Sequence, residues 1–540
     1  MLEPLIQKVT RKKAPVPAGL KEPPRLSGGV PVLGHTVEFV RSAIGLLSRA
    51  HEELGEVGAF EVMGRKMIAV FGPDAHEVVF RAPEEQLSPQ EAYKIMTPIF
   101  GKGMVYDAPH DKMNEQLKML LPALKDRRMR TYGEIVVQEV EESIGGWGDH
   151  GEIDLVDYCR VLTNYTSSHC LLGKEFRGGM NEEFARVYTS LERGITPLAY
   201  INANLPIPAF RERDKGRVRL EEMVTEIINQ RKKSGRKGED FLQTLMDAKY
   251  KGGAPLTDHE ITGMLVASMF AGHHTSSVTT AWAIIELSKQ PDLLARVRTE
   301  LEGVFGDGTV PGFHTLRNIP LTEGVVLETL RLHPPLFMLV RVAEQDFVYK
   351  DYFFPKGSWV IVSPTVAHLM PEHFKDPTRF DPDRFGAGRE EDKRDYAFIP
   401  FGGGRHKCMG NAFAILQIKA ILTILLRSFD FELANPNVKS DFHGLVVGPE
   451  EPCRIRYKRR KDVKQFVYTG KNANTGAAAL APRKFKVEVD LDLCQGHAVC
   501  QGEAPEVFRV RGTGKVELLD AFPDPNLYGK AKMAEKYCPT

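Results

Sequence analysis

The chain has 540 residues, 42% of them hydrophobic and 26% charged, an ordinary globular composition that excludes a largely disordered chain. Its 72 lysines and arginines stand against 71 aspartates and glutamates, so the net charge of +1 implies no global attraction to nucleic acid. Seven cysteines are too few for a disulfide scaffold at this length, which leaves thiols available to metals.

A prior of about 150 residues per domain suggests three or four domains, and it bends for enzymes built on one large core. Residues 1–20 carry Lys8, Arg11, Lys12 and Lys13 with Pro4, Pro15 and Pro17, and no apolar run able to span a bilayer or act as a secretory signal. We read them as an N-terminal tail, and expect a chain without a membrane-spanning segment, in the reducing cytoplasm. Prolines and glycines from Pro15 to Gly34 predict extended chain, because proline removes a donor and biases its predecessor away from helix.

From about Leu47 to Arg427 long helical patterns dominate, with short strands expected at Ala59–Val62, Met67–Phe71, Phe347–Val348 and Ser358–Ser363. The longest helix candidate, Ile261–Leu287, is apolar on much of its circumference and is therefore expected to be central and buried. Within it, Ala271-Gly272-His273-His274-Thr275 places a glycine that costs roughly 1 kcal/mol relative to alanine. Gly272 leaves room for a small molecule beside the backbone, Thr275 offers a hydroxyl, and His274 can pass protons near neutral pH. Taken alone, the stretch is better read as a helix crossing with satisfied core histidines.

Glu328-Thr329-Leu330-Arg331 puts an acid and a base on one helix face, a pair worth under about 1 kcal/mol if exposed. The richest signal follows at Phe401-Gly402-Gly403-Gly404-Arg405-His406-Lys407-Cys408-Met409-Gly410. Four glycines in ten residues call for unusual dihedrals or close approach to something flat. Arg405, His406, Lys407 and the downstream helix N-terminus are expected to lower the Cys408 thiol pKa, as haem–thiolate chemistry requires. The plainer alternative is a buried cysteine in a glycine-rich turn.

The composition shifts at about Tyr457. Arg454, Arg456, Lys458, Arg459, Arg460, Lys461 and Lys464 form a basic stretch, and residues 469–482 (TGKNANTGAAALAP) have almost nothing to bury. We take 458–482 as basic stretch and linker. Val487, Val489, Leu491 and Leu493 then alternate with acids as a half-buried strand does, and Gly512-Thr513-Gly514 predicts a hairpin turn. Cys494, Cys500 and Cys538 can surround an iron–sulfur cluster; with His497 they also match zinc by ligand type, though not by the usual spacing.

Phe401-x-x-Gly404-x-x-x-Cys408-x-Gly410, with Glu328-x-x-Arg331 and Phe380-Asp381-Pro382-Asp383-Arg384-Phe385, resembles the cytochrome P-450 superfamily. Arg405-His406, His274 before Thr275, the segment Tyr93 to Asp107 and the segment Thr166 to Arg177 are similar to its sterol 14α-demethylase branch. The resemblance runs over about residues 20–457 and implies a mainly α fold with a minor β-sheet for residues 21–457, holding haem b. By resemblance, Cys408 is the axial iron ligand, in a loop with Phe401 and Arg405, and Tyr93, Arg341 and His406 contact haem propionates. Gly272, His274 and Thr275 line the oxygen and proton-delivery site, while Glu328, Arg331 and Arg384 form an architectural charge network. Tyr93, Met96, Phe100, Met104, Phe270, Ala271 and Leu336 face the sterol. The implied reaction removes a 14α-methyl group as formic acid through three monooxygenations, each using dioxygen and two electrons.

The tail, residues 483–540, is similar to small bacterial ferredoxins with three cysteine ligands, a small α+β domain. His497 stands where a fourth cysteine is common, which favours a 3Fe-4S cluster; a 4Fe-4S cluster using His497 is the alternative. The acids Glu488, Asp490, Asp492, Glu503 and Glu506 are expected to meet Lys407 and Arg405 when the tail docks. A Gly-x-Gly-x-x-Gly after a strand is not found, so an external NAD(P)H-dependent ferredoxin reductase is expected as partner. Hydroxylation of another steroid or terpene, a haem-based sensor, and a tail that only aids folding or oligomerisation are the other readings.

Overall fold

The computed structural model describes residues 15–173, 181–195, 199–235, 237–238, 240–442, 446–464, 466, 487, 489, 491, 494–510, 515–521, 523, 527, 530–531, 534–535 and 538. The linker at 469–482, most of the N-terminal tail, the turn at 512–514, and the end of the branch-like segment at Lys174–Arg177 lie outside the described residues.

The helices that position the site are α1 (Asp126–Gly145), α2 (Leu155–Leu172), α3 (Asn181–Arg193), α4 (Pro208–Ser234), α5 (Asp258–Ser288), α6 (Pro320–Leu332) and α7 (Asn411–Ser428). α5 is the axle. Thr257 and Glu260 close a reciprocal capping box at its start, satisfying two backbone donors that would otherwise be orphaned. It is apolar on all sides, with Met264, Ala281, Ala283, Ile284 and Ile285 fully buried, because α2, α4, α6 and α7 surround it. α7 is the one helix among the described residues long and apolar enough to cross a membrane, and 72% of that stretch is buried in this core.

Among the described residues, two larger sheets flank the helices. Strands β1 (Val57–Val62), β2 (Arg65–Val70), β3 (Leu87–Ser88), β4 (His150–Asp154), β5 (Leu339–Ala343), β6 (Trp359–Val362), β7 (Phe429–Leu433) and β8 (Arg454–Arg459) give one sheet ordered β1-β2-β6-β5-β3 and another ordered β4-β8-β7. The strands expected near residues 59, 67, 347 and 358 are present, the third paired with Tyr352–Phe354. β5 was hidden because Arg341 breaks its apolar run; it gains its place only by lying between β6 and β3.

The basic stretch begins as sheet. In β8, Ile455 is fully buried, while Arg454 and Arg456 pair with Glu152 on one side and Arg456 also with Glu432 on the other. Among the described residues the first helix starts at Thr36, ahead of the expected Leu47, and kinks at Ser42. Extended chain before it joins the sheet through bridges Lys21–Tyr352 and Arg25–Ala59.

In the tail, β9 (Phe508–Val510) and β10 (Val516–Leu518) pair antiparallel across the expected turn. Their small core is Cys494, Ala504, Val507, Phe508, Val516 and Ala534. The alternating strand predicted at 487–493 falls largely outside the described residues; Val487 N–H donates to Ala521 O at 2.9 Å.

Candidate functional site

The Cys408 loop runs into α7 and is tied by Gly402 N–H to Ile399 O (3.0 Å) and Cys408 N–H to Phe401 O (2.8 Å). Gly404 has φ +61°, and a Cβ there would collide with the Phe80 carbonyl, so this glycine serves approach to the chain itself. Gly403 likewise faces the Phe80 and Tyr396 rings, whereas a Cβ on Gly410 would lie 3.9 Å from the Cys408 sulfur. The cysteine is exposed at a recess walled by protein.

The thiol pKa differs from the sequence expectation. Burial pushes it up, and the Gly410 amide and the Lys407 charge bring it only part of the way back. Arg405 is exposed and His406 turns elsewhere, so the flanking basic residues do not by themselves hold a thiolate. A cationic metal bound at the sulfur would supply the missing stabilisation.

The residues expected around a haem converge here. Tyr93 stacks on Tyr106 with centroids 5.0 Å apart, and the phenol of half-buried Tyr106, pushed up to about 12 by desolvation, feels Tyr93, Arg341 and Cys408. The Arg341 guanidinium is buried and donates to Val340 O at 2.9 Å. His406 Nε2 lies 3.1 Å from buried Glu84, which also accepts from His110 Nδ1 at 2.8 Å. A thiol in a recess with cationic and phenolic donors at its margin fits a planar macrocycle carrying carboxylates. Tyr106 and Glu84 were not singled out by the sequence.

α5 passes the recess unbroken. The Thr275 hydroxyl donates to Ala271 O at 2.7 Å, so it is spent on its own helix rather than left free. A Cβ on Gly272 would meet Phe413 at 3.7 Å and Ser167 at 3.8 Å, ordinary contact, so packing within the chain does not demand the glycine. His274 Nε2 lies 2.6 Å from Glu192 Oε1 of α3, and buried His273 stands beside them. Glu192 sits in an ordinary amphipathic helix, and its role became visible only when α3 met α5. Burial pushes this carboxyl up, yet the imidazole side of the cluster outweighs burial and leaves it below its ordinary value.

Met96, Phe100, Met104 and Phe270 share one apolar cluster, and Phe100 meets Phe270 edge-on at 6.1 Å. The Phe100 carbonyl packs directly on Gly263 of α5, fixing the short helix Thr97–Phe100 over the axle. Ala271 is exposed at the recess and Leu336 is half-buried; Tyr93 packs instead with the cluster containing Phe337 and Met338.

Behind the loop, Glu328, Arg331 and Arg384 are all fully buried. Arg331 donates to Glu328 at 2.7 and 2.8 Å, and Arg384 Nε reaches both carboxylate oxygens at 3.0 Å. Backbone carbonyls of His368, Pro377, Arg379 and Lys375 take their remaining donors, and Glu391 pairs with Arg384. The low value given to an exposed pair does not apply to this network.

In the tail, burial and then the neighbouring Cys538 and Cys494 push the Cys500 thiol up to about 11, so the three sulfurs feel one another. Val516 N–H donates to Cys494 Sγ at 3.3 Å. His497 is driven to about 4 by burial and by Lys407, leaving a neutral imidazole.

The tail sits on the Cys408 side of the body. Lys407 donates to Gln495 O, Lys118 pairs with Glu503 at 3.2 Å, and Lys125 donates to Glu535 O. Of the expected acids, Glu503 meets Lys118 rather than Lys407 or Arg405. Glu506 is turned to Lys530 of its own domain, and Glu488, Asp490 and Asp492 lie outside the described residues. Lys407, kept low by burial and Lys515, feels both Cys494 and Cys408.

A thiol-bearing glycine loop before α7, an axle helix past its recess and a cysteine-bearing domain on the same side define a haem–thiolate monooxygenase joined to an iron–sulfur protein. The model of the cytochrome P450 family matches residues 23–455, most of the chain, and the chain belongs to that family. A second model, a 4Fe-4S single cluster domain, matches residues 487–540. The sterol 14alpha-demethylase of Mycolicibacterium vanbaalenii is 43% identical over 82% of this chain and 99% of its own length. The obtusifoliol 14-alpha demethylase of Sorghum bicolor is 40% identical over 82% of this chain and 92% of its own length. A cytochrome P450DA haem domain covers 82% of this chain and 99% of its own, at TM-score 0.73 and 22% identity, and shows the fold.

Proposed function

We propose that the chain is a cytoplasmic sterol 14α-demethylase that carries its own electron donor. The observation that carries this reading is the 43% identity to a sterol 14alpha-demethylase over 99% of that protein. The substrate would be a lanosterol-type sterol, whose 14α-methyl passes through alcohol and aldehyde and leaves as formic acid. Haem b held by Cys408 would supply dioxygen activation, with thiolate donation favouring O–O cleavage.

The chain's own residues set the surroundings. Tyr93, Arg341 and His406 would anchor the haem carboxylates, with Glu84 fixing the His406 ring. Met96, Phe100, Met104 and Phe270 offer the apolar wall that a rigid lipid needs, and exclude water from it. His274, in contact with Glu192, and the Thr275 hydroxyl would hold and move the protons each turnover consumes. Gly272 would leave the helix face open to dioxygen.

Electrons would come from a 3Fe-4S cluster on Cys494, Cys500 and Cys538, reduced by an external NAD(P)H-dependent ferredoxin reductase. The matched family model favours the 4Fe-4S alternative, in which neutral His497 would complete the ligands. The docking supports transfer within one chain: Lys407, next to Cys408, bonds Gln495, next to Cys494, so each ligand cysteine is one residue from the contact.

The test is reconstitution of the full chain with a ferredoxin reductase, NADPH, oxygen and lanosterol. Formate and 14-demethylated sterol in equal amounts are expected. Hydroxylated lipid without formate would assign the chain to another steroid or terpene hydroxylation and overturn the demethylase reading.

A further inference from the structure

The cluster of Glu192, His273 and His274 is built unlike an ordinary ion pair. His273 is 1% exposed, and its Nε2 lies 2.8 Å from the carbonyl of Arg160. A carbonyl only accepts, so Nε2 carries the proton. Burial also disfavours a second proton on this ring. Nδ1 is then a bare lone pair, and it faces the Glu192 Oε1 lone pairs across 3.4 Å without an aligned hydrogen bond.

Two acceptors aimed at each other inside a protein want a cation between them. His274 Nε2, 2.6 Å from the same oxygen, brings a third ligand atom, and all three lie within 4.8 Å of one another. Two imidazoles and one glutamate are a ligand set that zinc takes, with a fourth position left for water. Tetrahedral zinc with bonds of about 2.0–2.1 Å sets ligand atoms roughly 3.4 Å apart, which the His273–Glu192 separation already meets. The His274–Glu192 contact must open from 2.6 Å, and the His273 and His274 nitrogens, within 4.8 Å of each other, must settle at the same separation. Nearby Arg160 does not disqualify the site, because its guanidinium is engaged by Asp157 at 2.5 Å and Glu451 at 3.4 Å.

We propose that Glu192, His273 and His274 form a binding site for a divalent zinc-like cation, which fastens α3 to α5 and takes His274 Nε2 out of use. Binding requires His274 to surrender its Nε2 proton to solvent, leaving a metal held by two neutral imidazoles and one carboxylate. The cation therefore acts as a reversible brake on turnover. Binding stands on this geometry alone; only the brake rests on the monooxygenase reading.

The experiment uses the full chain loaded with haem and iron–sulfur cluster, titrated with zinc chloride by equilibrium dialysis and read by X-ray absorption at the zinc edge. One zinc per chain with nitrogen and oxygen neighbours only, and imidazole scattering, is expected. His273→Asn keeps a donor for the Arg160 carbonyl but loses the ligand, and should weaken binding by at least about tenfold, as even outer-shell changes do. Sulfur at about 2.3 Å would place zinc on the cysteines instead and overturn the proposal. Unchanged affinity in both His273→Asn and Glu192→Gln, or no stoichiometric zinc at all, would do the same. If His273→Asn fails to take up haem, the wild-type absorption spectrum still decides between imidazole and sulfur. Zinc should suppress sterol turnover and a chelator wash should restore it; failure of the brake with binding intact would count against the role given to His274, not against the site.

Discussion

Two charge clusters of the helical body are built on opposite principles. Around Glu328, both guanidinium groups find carboxylates and backbone carbonyls, and the Asp381 N–H adds a further donor to the carboxylate. Around Glu192, a buried imidazole nitrogen and a carboxylate oxygen confront each other without a donor between them. A satisfied network rigidifies what it touches. An unsatisfied one holds groups ready to take a proton or a metal, at a cost to stability. The first therefore reads as scaffold for the loop, the second as working chemistry beside α5.

Glu328→Gln should break this contrast most severely. It leaves the buried Arg331 guanidinium without a carboxylate and Arg384 with Glu391 alone, a loss of about 3–5 kcal/mol. Denaturant titration should show that loss, with haem incorporation falling in parallel, whereas an unchanged midpoint would deny the network its structural weight.

Glu192→Gln should split stability from activity. Glu192 Oε1 is the oxygen that faces both imidazoles, so an amide NH2 in its place donates to His273 Nδ1 and fills the mismatch, with His274 Nε2 accepting in its other tautomer. Stability should hold or rise by about 1 kcal/mol, while turnover falls on the order of 100-fold through lost proton handling. Parallel loss of both would make Glu192 a scaffold residue like Glu328.

His368 sharpens the satisfied side at smaller cost. Its Nδ1 donates to Arg331 O at 3.1 Å and its Nε2 accepts from Ile399 N–H at 2.9 Å, so the neutral ring is fully used. Burial drives its pKa to about 3, below its ordinary 6.5. Below about pH 6.5 the unfolded chain takes up a proton that the folded chain refuses, so stability falls by about 1.4 kcal/mol per pH unit down to the folded value. Urea titrations from pH 6.5 to 4.5 should show that slope flattened by this amount in His368→Gln; an equal slope in both would mean the ring already titrates in the folded protein.

The sequence by itself determined the chemistry-bearing parts. The glycine loop around Cys408, the Glu-x-x-Arg pair, the long apolar helix and the three tail cysteines were legible because each lies in a short local pattern. The helical class and the hairpin of the tail were legible for the same reason, since periodicity is a local property. What the sequence misjudged depended on neighbours far along the chain. Charges flanking Cys408 promised a lowered thiol pKa, yet burial by distant elements reversed the direction. The acids of the tail promised a salt-bridged dock, yet Lys407 found a backbone carbonyl and Glu503 found Lys118. Glu192 and Glu84 carried no pattern of their own, and Tyr106 was one unremarked residue of the Tyr93–Asp107 segment. They became site residues only when packing set them against His274, Tyr93 and His406, because burial and partner geometry, not residue type, fix where a side chain's proton and charge go.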